Sequence, residues 1–511
     1  MSETIVAEEA HEGVDRSVDD ETSEFFRLVG GKNEGPTIRL QRVTINNYKG
    51  VKHGSIALNA GTGKPFGPAG EEADILGLYG PNGSGKTTFI EALSIFKRLA
   101  SGSRLIGDYA MHIEQGADCS EFEYIFDYQD VNDDHLTIVY GFKIRAVAED
   151  EDEWADDATP SPEDMRGITG GLRTVVFDEI VRASGRLDGK PLGKKGIMQD
   201  VIDSSESVST FVPDVKRDEI VGESPEAIAA LMKNKARALD ASASFVFMRS
   251  NFALYKAMDS KYYRMLFMIR YYARRFFQVI DAEESGLLRM NLLLPLQTRA
   301  GVIPLNIRED TEVPEAGYEA LCEVFESNNV VLNALVPGLS MELVVTSSTV
   351  MKDGSPGKKV HVMVRRGDVV LPFRHESDGI KRLISMVATL CAAFNEKSFT
   401  IAIDELDSGI FEYLLGELLQ AFQDGGVGQL IFTSHNLRPL EVIDKKFLCF
   451  TTTNPEERYI KLKGIKRNNN LRNTYFRELI LDDQDERLYE SVQRNRIISA
   501  FYDVSPEHDY E

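Results

Sequence analysis

Gly80-Pro81-Asn82-Gly83-Ser84-Gly85-Lys86-Thr87 is a complete G-x-x-x-x-G-K-[ST] phosphate loop. It is entered through the apolar run Ile75-Leu76-Gly77-Leu78-Tyr79 and left through Thr88-Phe89-Ile90-Glu91-Ala92-Leu93, a context of strand, loop and helix. Glycines in such a loop let backbone N–H groups wrap phosphate oxygens, and the helix that follows adds the positive end of its dipole. Gly80, Asn82, Gly83, Ser84, Gly85, Lys86, Thr87 and Thr88 are therefore the expected nucleotide-binding residues. Lys86 supplies a point charge for the β- and γ-phosphates, and the Thr87 hydroxyl a ligand for Mg²⁺.

Working outward, 511 residues suffice for about two to four domains, and 42% hydrophobic composition is that of a globular chain with a sizeable core. A net charge of −23 excludes a protein coated in positive potential and confines any nucleic-acid surface to a local patch. Much of the excess lies in 1–34 and in Glu149–Asp164, which predicts solvated acidic segments. Cys119, Cys322, Cys391 and Cys449 lie far apart with no C-x-x-C spacing, so neither a zinc site nor a disulfide framework is indicated. The acidic N-terminus lacks the features of a secretion signal, and no apolar run approaches the ~20 residues of a membrane span. The expectation is a cytoplasmic protein with no membrane partner.

Thr37–Ile45 and Gly54–Leu58 pattern as strands around the turn-like Asn46–Gly50, and the helix that begins at Lys86 is expected to run to about Leu99. Phe122–Phe126 and Leu136–Tyr140 predict a hairpin, with a further strand at Arg173–Phe177. From Pro225 to about Ile280 the periodicity is helical, and Leu343–Val345 and Val360–Val364 again pattern as strands. Heptads are not sustained anywhere.

Downstream, Ser398-Phe399-Thr400-Ile401-Ala402-Ile403-Asp404-Glu405 is an apolar strand ending in two carboxylates, and Gln429–Thr433 is another, ending at Ser434-His435-Asn436. Carboxyl ends of parallel strands converge where ligands bind, so both ends can meet the phosphate loop. Asp404 is then placed to hold Mg²⁺, directly or through water, and Glu405 to polarise an attacking water.

Just upstream of this strand, Glu376-Ser377-Asp378-Gly379-Ile380-Lys381-Arg382-Leu383 resembles the S-x-G signature of ABC-type ATPases, in the variant of the SMC-like and OLD-like group of AAA family ATPases. The order is similar to that superfamily: phosphate loop, signature at Ser377–Gly379, Walker B at Asp404–Glu405, a D-loop-like Leu406-Asp407-Ser408-Gly409, and a switch histidine at His435. The resemblance implies an α/β fold, an ABC-type P-loop NTPase head of mixed sheet and flanking helices with an inserted helical lobe. It implies ATP and Mg²⁺ as ligands and a homodimer or higher homo-oligomer. Ser377 and Gly379 would bind the γ-phosphate held by the other protomer, His435 would sense it in cis as a catalytic residue beside Glu405, and Asp407 would communicate across the dimer. Gln115 is the best candidate for the Q-loop residue that completes the metal site with Thr87 and Asp404, and Arg42 for an approach to the nucleotide. Ser377 also has the chemistry of a helix N-cap, and His435 that of a turn residue.

On this basis the chain divides into an acidic tail (1–34), an N-terminal half of the head (35–147), an acidic loop (148–170), an inserted α+β and helical lobe (171–335), a C-terminal half of the head (336–480) and a helical C-terminal tail (481–511). The insertion is compact, without the heptad arms of cohesin-like members. The stretch after His435 is too short for the Toprim nuclease domain of OLD proteins, and Asp483-Gln484-Asp485 has the composition of an acidic helix start. Armless relatives resemble the ATPase subunits of bacterial anti-phage systems, which implies a separate effector protein as partner. The competing class is a DNA-binding repair or chromosome-maintenance ATPase. Its nucleic-acid surface would be the run Lys256, Lys261, Arg264, Arg270, Arg274 and Arg275, interleaved with Tyr262, Tyr263, Tyr271 and Tyr272, or the basic stretch Lys461–Arg467. The same helical run equally suits a buried amphipathic helix whose arginines pair with acidic segments.

Overall fold

The structure, a computed structural model, describes residues 21, 23–25, 27–28, 35–58, 74–106, 109–129, 134–148, 172–187, 189–192, 194, 197–205, 224–257, 262–281, 293–298, 301–351, 354–462, 471–481, 487–488 and 494–503. Most of the acidic tail, nearly all of the acidic loop 148–170, Asp483–Asp485 and most of the basic stretch after Leu462 lie outside these residues.

Strands β1 (Thr37–Tyr48) and β2 (Val51–Ala57) form a hairpin, β3 (Asp74–Tyr79) feeds the phosphate loop, and α1 (Lys86–Ala100) leaves it. β4 (Ser120–Gln129), β5 (His135–Ala148), β6 (Leu172–Leu187), β7 (Lys190–Leu192) and β8 (Gln199–Asp203) join β1 and β2 in an antiparallel sheet ordered β2-β1-β4-β5-β6-β7, with β8 on β6. Three helices follow, α2 (Pro225–Asp240), α3 (Arg249–Ala257) and α4 (Tyr263–Arg275), and then the short strand β9 (Phe277–Ile280).

The hairpin β10 (Leu293–Thr298) and β11 (Gly301–Asn306) precedes a smaller unit. There β12 (Thr311–Pro314), β13 (Leu339–Val350), β14 (Pro356–Arg366) and β15 (Val369–Pro372) form an antiparallel sheet against α5 (Glu315–Leu335). The chain closes with α6 (Asp378–Asn395), β16 (Thr400–Ile403), α7 (Glu412–Gly425), β17 (Gln429–Thr433), α8 (Pro439–Val442), β18 (Leu448–Thr451), β19 (Tyr459–Ile460), α9 (Leu471–Leu481) and α10 (Arg494–Asp503).

The central sheet runs β19-β18-β3-β17-β16-β9, parallel throughout except for β19. Its strands are buried on both faces, which is why they pattern as continuous apolar runs rather than alternations. On one face Leu76, Leu78, Phe96, Tyr124, Phe126 and Phe277 form a core with α1 and the antiparallel sheet. On the other, Ile75, Ile403 and Phe432 pack with Leu415 and Leu419 of α7. Phe96 is the hub of the first core, with the rings of Tyr124 and Phe126 each centred 5.0 Å away. Gln429 ties the two sheets together: its Oε1 accepts from Leu40 N at 2.8 Å, while its Nε2 donates to Leu40 O and to Asp74 Oδ2, each at 2.8 Å. Helix α6 belongs to two cores at once, with Leu383 and Val387 in the smaller unit and Met386 and Leu390 on the central sheet.

Three stretches differ from the expectation. Leu172–Leu187, assigned to the inserted lobe, pairs with β5 and extends the sheet of the N-terminal half. Phe277–Ile280, within the helical periodicity, is a strand of the central sheet; four residues beside a strong helix are too few to show a period of their own. The acidic tail is helical at Glu21 and Glu24, and there it is docked rather than solvated. Glu24 accepts from Arg27, from Lys256 Nζ at 2.6 Å and from Tyr263 OH at 2.9 Å, while Glu21 meets Arg274 at 2.5 Å.

The same contacts explain the basic run. Tyr262, Tyr263, Tyr271 and Tyr272 are core residues, and Arg270, 7% exposed, donates to Phe247 O and faces Glu21. The amphipathic reading of this helix holds.

The hydrogen bonds from Arg27, Lys256 and Tyr263 hold the Glu24 carboxyl at about 2, against an ordinary 4.5, despite the opposing effect of burial. A depressed carboxylate stabilises above its free pKa and loses that contribution as the pH falls toward the folded value. Glu24→Gln should therefore cost about 1 kcal/mol at pH 7, and the gap to wild type should narrow below pH 4.5. Urea midpoints of both proteins at pH 7 and at pH ~3.5 measure it.

Candidate functional site

Strand register builds the site. β17 lies between β3 and β16, with Thr433 opposite Leu78 and Phe432 opposite Ile403. The phosphate loop, Asp404–Glu405 and Ser434–His435 thus emerge side by side from the carboxyl edge of one parallel sheet, where ligands bind in open α/β sheets.

Asn82 and Gly83 form the exposed tip of the loop, while Ser84, Gly85 and Lys86 are buried. Lys86 Nζ donates to Gly80 O and Pro81 O, both at 2.8 Å, folding over the space that the loop encloses. Burial lowers its pKa, and the charges of Asp404, Glu405 and Asp407 oppose that shift, so the lysine and all three carboxylates share one electrostatic environment. The Thr87 side chain is exposed at the start of α1. Thr88 points elsewhere: it is buried, and its hydroxyl donates to Lys49 O in the β1–β2 turn at 3.4 Å.

At the acidic strand, Asp404 is 5% exposed and its Oδ1 accepts from Thr433 Oγ1 at 2.5 Å. The same hydroxyl oxygen accepts from Glu405 N at 2.7 Å. Glu405 is exposed and its φ is +50°, in the left-handed region that a non-glycine residue enters at a cost. Arg382 of α6 donates to the carbonyls of Asp404 at 2.6 Å and Glu405 at 2.9 Å, so that backbone is held from both sides. Thr433 and Arg382 carry no motif in the sequence. A hydroxyl at the last position of a strand beside a carboxylate strand is the only signal Thr433 offers.

Asp407 accepts from His435 N, 3.3 Å from each carboxylate oxygen, and from Asn436 N at 3.0 Å; it caps the turn that presents the exposed His435 ring. Ser377 is the N-cap of α6, its Oγ accepting from Ile380 N at 3.4 Å, and is exposed. A Cβ on Gly379 would stand 2.1 Å from Gly409 O, so the Ser377–Gly379 loop and the Asp407–Gly409 turn meet backbone to backbone. This close approach requires glycine. Gln115 is exposed in a turn whose neighbour Glu114 accepts from Gly50 N at 3.2 Å; the contacts of that turn run to β1–β2 and not to Asp404. Arg42 is exposed on β1 opposite Ala57.

Among the described residues no cluster of three or more His, Cys, Asp and Glu side chains has the arrangement of a metal site. Mg²⁺ is commonly held by one or two protein ligands with substrate phosphates and water. Thr87 and Asp404 are the residues that would hold it.

Residues 75–163 match the family model described as "AAA domain, putative AbiEii toxin, Type IV TA system". Comparison with curated proteins found no sequence match. Among solved structures, the chain is similar to an SMC head bound to the C-winged helix domain of ScpA, at 11% identity and a TM-score of 0.36 over 83% of this chain and 97% of that one. It is similar also to the SMC head domain from Thermotoga maritima, at 13% identity and 0.35 over 83% and 100%. The ATP-bound recombination mediator RecF is a third, at 11% and 0.34 over 84% and 100%. The fold is α/β: a mixed central sheet with flanking helices, an antiparallel sheet beside it, and the helical block α2–α4 between β8 and β9.

Removing the Thr433 hydroxyl leaves Asp404 and the strained Glu405 without their shared partner. If Asp404 and Glu405 serve nucleotide hydrolysis as their sequence context implies, Thr433→Val should lower nucleotide turnover about 10- to 100-fold with little change in nucleotide affinity, because the group that orients both is lost. Steady-state turnover alongside equilibrium titration with nucleotide separates the two.

Proposed function

We propose that this chain is an ATP-hydrolysing ABC-type ATPase, two copies of which sandwich two ATP·Mg²⁺ between their heads. The observation that carries the reading is the convergence of Lys86, Asp404 and Glu405 at the carboxyl ends of β3 and β16, the two strands that flank β17. Lys86, released from the Gly80 and Pro81 carbonyls, exchanges those hydrogen bonds for phosphate oxygens. The backbone N–H groups of the loop and the N-terminus of α1 hold the phosphate chain in position. When bound at Thr87 and Asp404, Mg²⁺ supplies charge neutralisation across the phosphates. Glu405, exposed and held at a fixed backbone angle, orients the attacking water, and His435, presented by the turn that Asp407 caps, reports on the terminal phosphate.

The dimer reading rests on Ser377. Its side chain is exposed at the N-terminus of α6, where the helix dipole and the proton of the capping hydroxyl suit a phosphate brought by a second protomer. A second copy would thus be required to complete the site, and the nucleotide would be both substrate and interface.

The reading extends to a bacterial defence system in which the dimer controls a separate effector protein; it rests on the motif order and the compact insertion, and the family description matched at residues 75–163 supports its AAA-domain part alone. The alternative of direct DNA handling loses its main surface, because Arg270 and its neighbouring tyrosines are buried and Lys256 and Arg274 are paired with Glu24 and Glu21.

Two substitutions test the assignment. Glu405→Gln should keep ATP binding, lower turnover by about 10²-fold or more, and accumulate an ATP-dependent dimer in size-exclusion chromatography. Lys86→Ala should abolish ATP binding. Normal turnover by the first variant, or tight binding by the second, would overturn the reading. Duplex DNA titrated at low salt should bind weakly; tight binding with a steep salt dependence would restore the alternative.

A further inference from the structure

The phosphate loop does not stand alone on β3. Beside it, β18 runs parallel to β3, with Phe450 opposite Tyr79, so the next residue, Thr451, comes level with Gly80. A Cβ on Gly80 would lie 1.7 Å from Thr451 Oγ1, so the Thr451 hydroxyl occupies the space that the first loop glycine leaves open. From there Thr451 Oγ1 lies 2.5 Å from Ser84 Oγ and 3.3 Å from Tyr79 O. Ser84 commits its own proton to Pro81 O at 2.7 Å, which makes Thr451 the donor to Ser84.

The antiparallel return strand β19 holds the other end of the loop. Tyr459 OH donates to Gly85 O at 2.8 Å, with the ring buried against Phe89. Arg458, largely buried, donates to Thr452 O at 2.7 Å and to Gly50 O, linking the hairpin to the β1–β2 turn that also receives the Thr88 hydroxyl. Backbone bonds from Lys52 and His53 to Pro455 O, at 3.0 and 2.9 Å, close the contact from the other side.

We propose that the β18–β19 hairpin is a positioning element for nucleotide binding, in which Thr451, packed against Gly80 and bonded to Ser84, and Tyr459, bonded to Gly85, hold the phosphate loop in its binding conformation. It rests on the reading of Gly80–Thr87 as the ATP site. Neither residue reaches the phosphates; each acts through the loop. A loop held open beforehand spends less of the binding free energy on ordering itself, so loss of either hydroxyl appears in affinity. The chemical step depends on Asp404, Glu405 and Thr433, which lie on the other side of β3, and is left intact.

The test uses the full chain and ATP·Mg²⁺. Thr451→Val keeps the shape and removes the hydroxyl, Thr451→Ser keeps the hydroxyl, and Tyr459→Phe removes a single oxygen. Thr451→Val and Tyr459→Phe should each raise the ATP dissociation constant and KM about five- to tenfold, with kcat at saturation within about twofold of wild type. Thr451→Ser should bind close to wild type. Thermal midpoints without nucleotide distinguish a loop effect from a folding defect, and the Tyr459→Phe arm stands by itself if a Thr451 variant fails to fold. Unchanged affinity in Thr451→Val and Tyr459→Phe, or a loss confined to kcat, would overturn the inference while leaving the ATPase reading in place. Wild-type protein that binds no ATP would overturn both.

Discussion

One hydroxyl joins the two halves of the site. Thr433 ends β17, the strand between β3 and β16, and its Oγ1 both donates to the Asp404 carboxylate and accepts from the Glu405 amide. Because β17 also pairs with β3 through Thr433 opposite Leu78, the carboxylates are referenced to the same backbone ladder that launches the phosphate loop. The distance between Lys86 and Asp404 is thereby set by strand spacing, about 4.8 Å per strand, rather than by loop conformation. The long stretch of chain between the two halves can then vary without disturbing the site, provided that β9, β16 and β17 still find β3.

The motif residues were legible because their chemistry depends on local backbone. A glycine-rich turn, a lysine one residue after it and a pair of acids closing an apolar run each show themselves within eight residues or so. The residues that support them were not legible. Thr433, Thr451 and Tyr459 act through register between strands distant in sequence, and a single hydroxyl residue at a strand end looks like any other. The four residues of β9 disappear into the periodicity of α4, and the second half of β6 is hard to read as strand because Asp178, Glu179, Arg182, Ser184, Gly185 and Arg186 replace the apolar run of its first half. The docked acids Glu21 and Glu24 sit in a segment whose composition matches disordered chain, and only their basic partners on α3 and α4 distinguish them. One ambiguity in the sequence was a true balance: the basic and aromatic residues of α4 fit a nucleic-acid surface or a buried helix, and packing alone decides it.

Helix α6 carries the consequence furthest. Its N-terminus presents Ser377, its first turn places Gly379 against Gly409, and Arg382 reaches back to the carbonyls of Asp404 and Glu405. Its apolar face is divided between the central sheet and the smaller unit, through Met386 and Leu390 on one side and Leu383 and Val387 on the other. A close-packed helix shared by two cores moves as a body, since packed interiors transmit displacement instead of absorbing it. A shift of the smaller unit against the central sheet would therefore reach Glu405 through two hydrogen bonds of Arg382, and reach the turn before His435 through the Gly379–Gly409 contact and Asp407.

The strain at Glu405 gives that connection a direction. A residue at φ +50° persists only where its surroundings over-determine it, and here the surroundings are Thr433 from the sheet and Arg382 from α6. Thr433 is fixed by a buried ladder, whereas Arg382 belongs to a helix whose N-terminus is exposed. Of the two restraints, the one on α6 is the one a bound partner at Ser377 can tighten or loosen. The backbone angle at Glu405 is then coupled to what occupies the exposed end of α6, without either residue moving far. Under the proposed function, this arrangement would tie turnover to association, because the helix that would meet a second protomer is the same helix that holds the Asp404–Glu405 backbone in place.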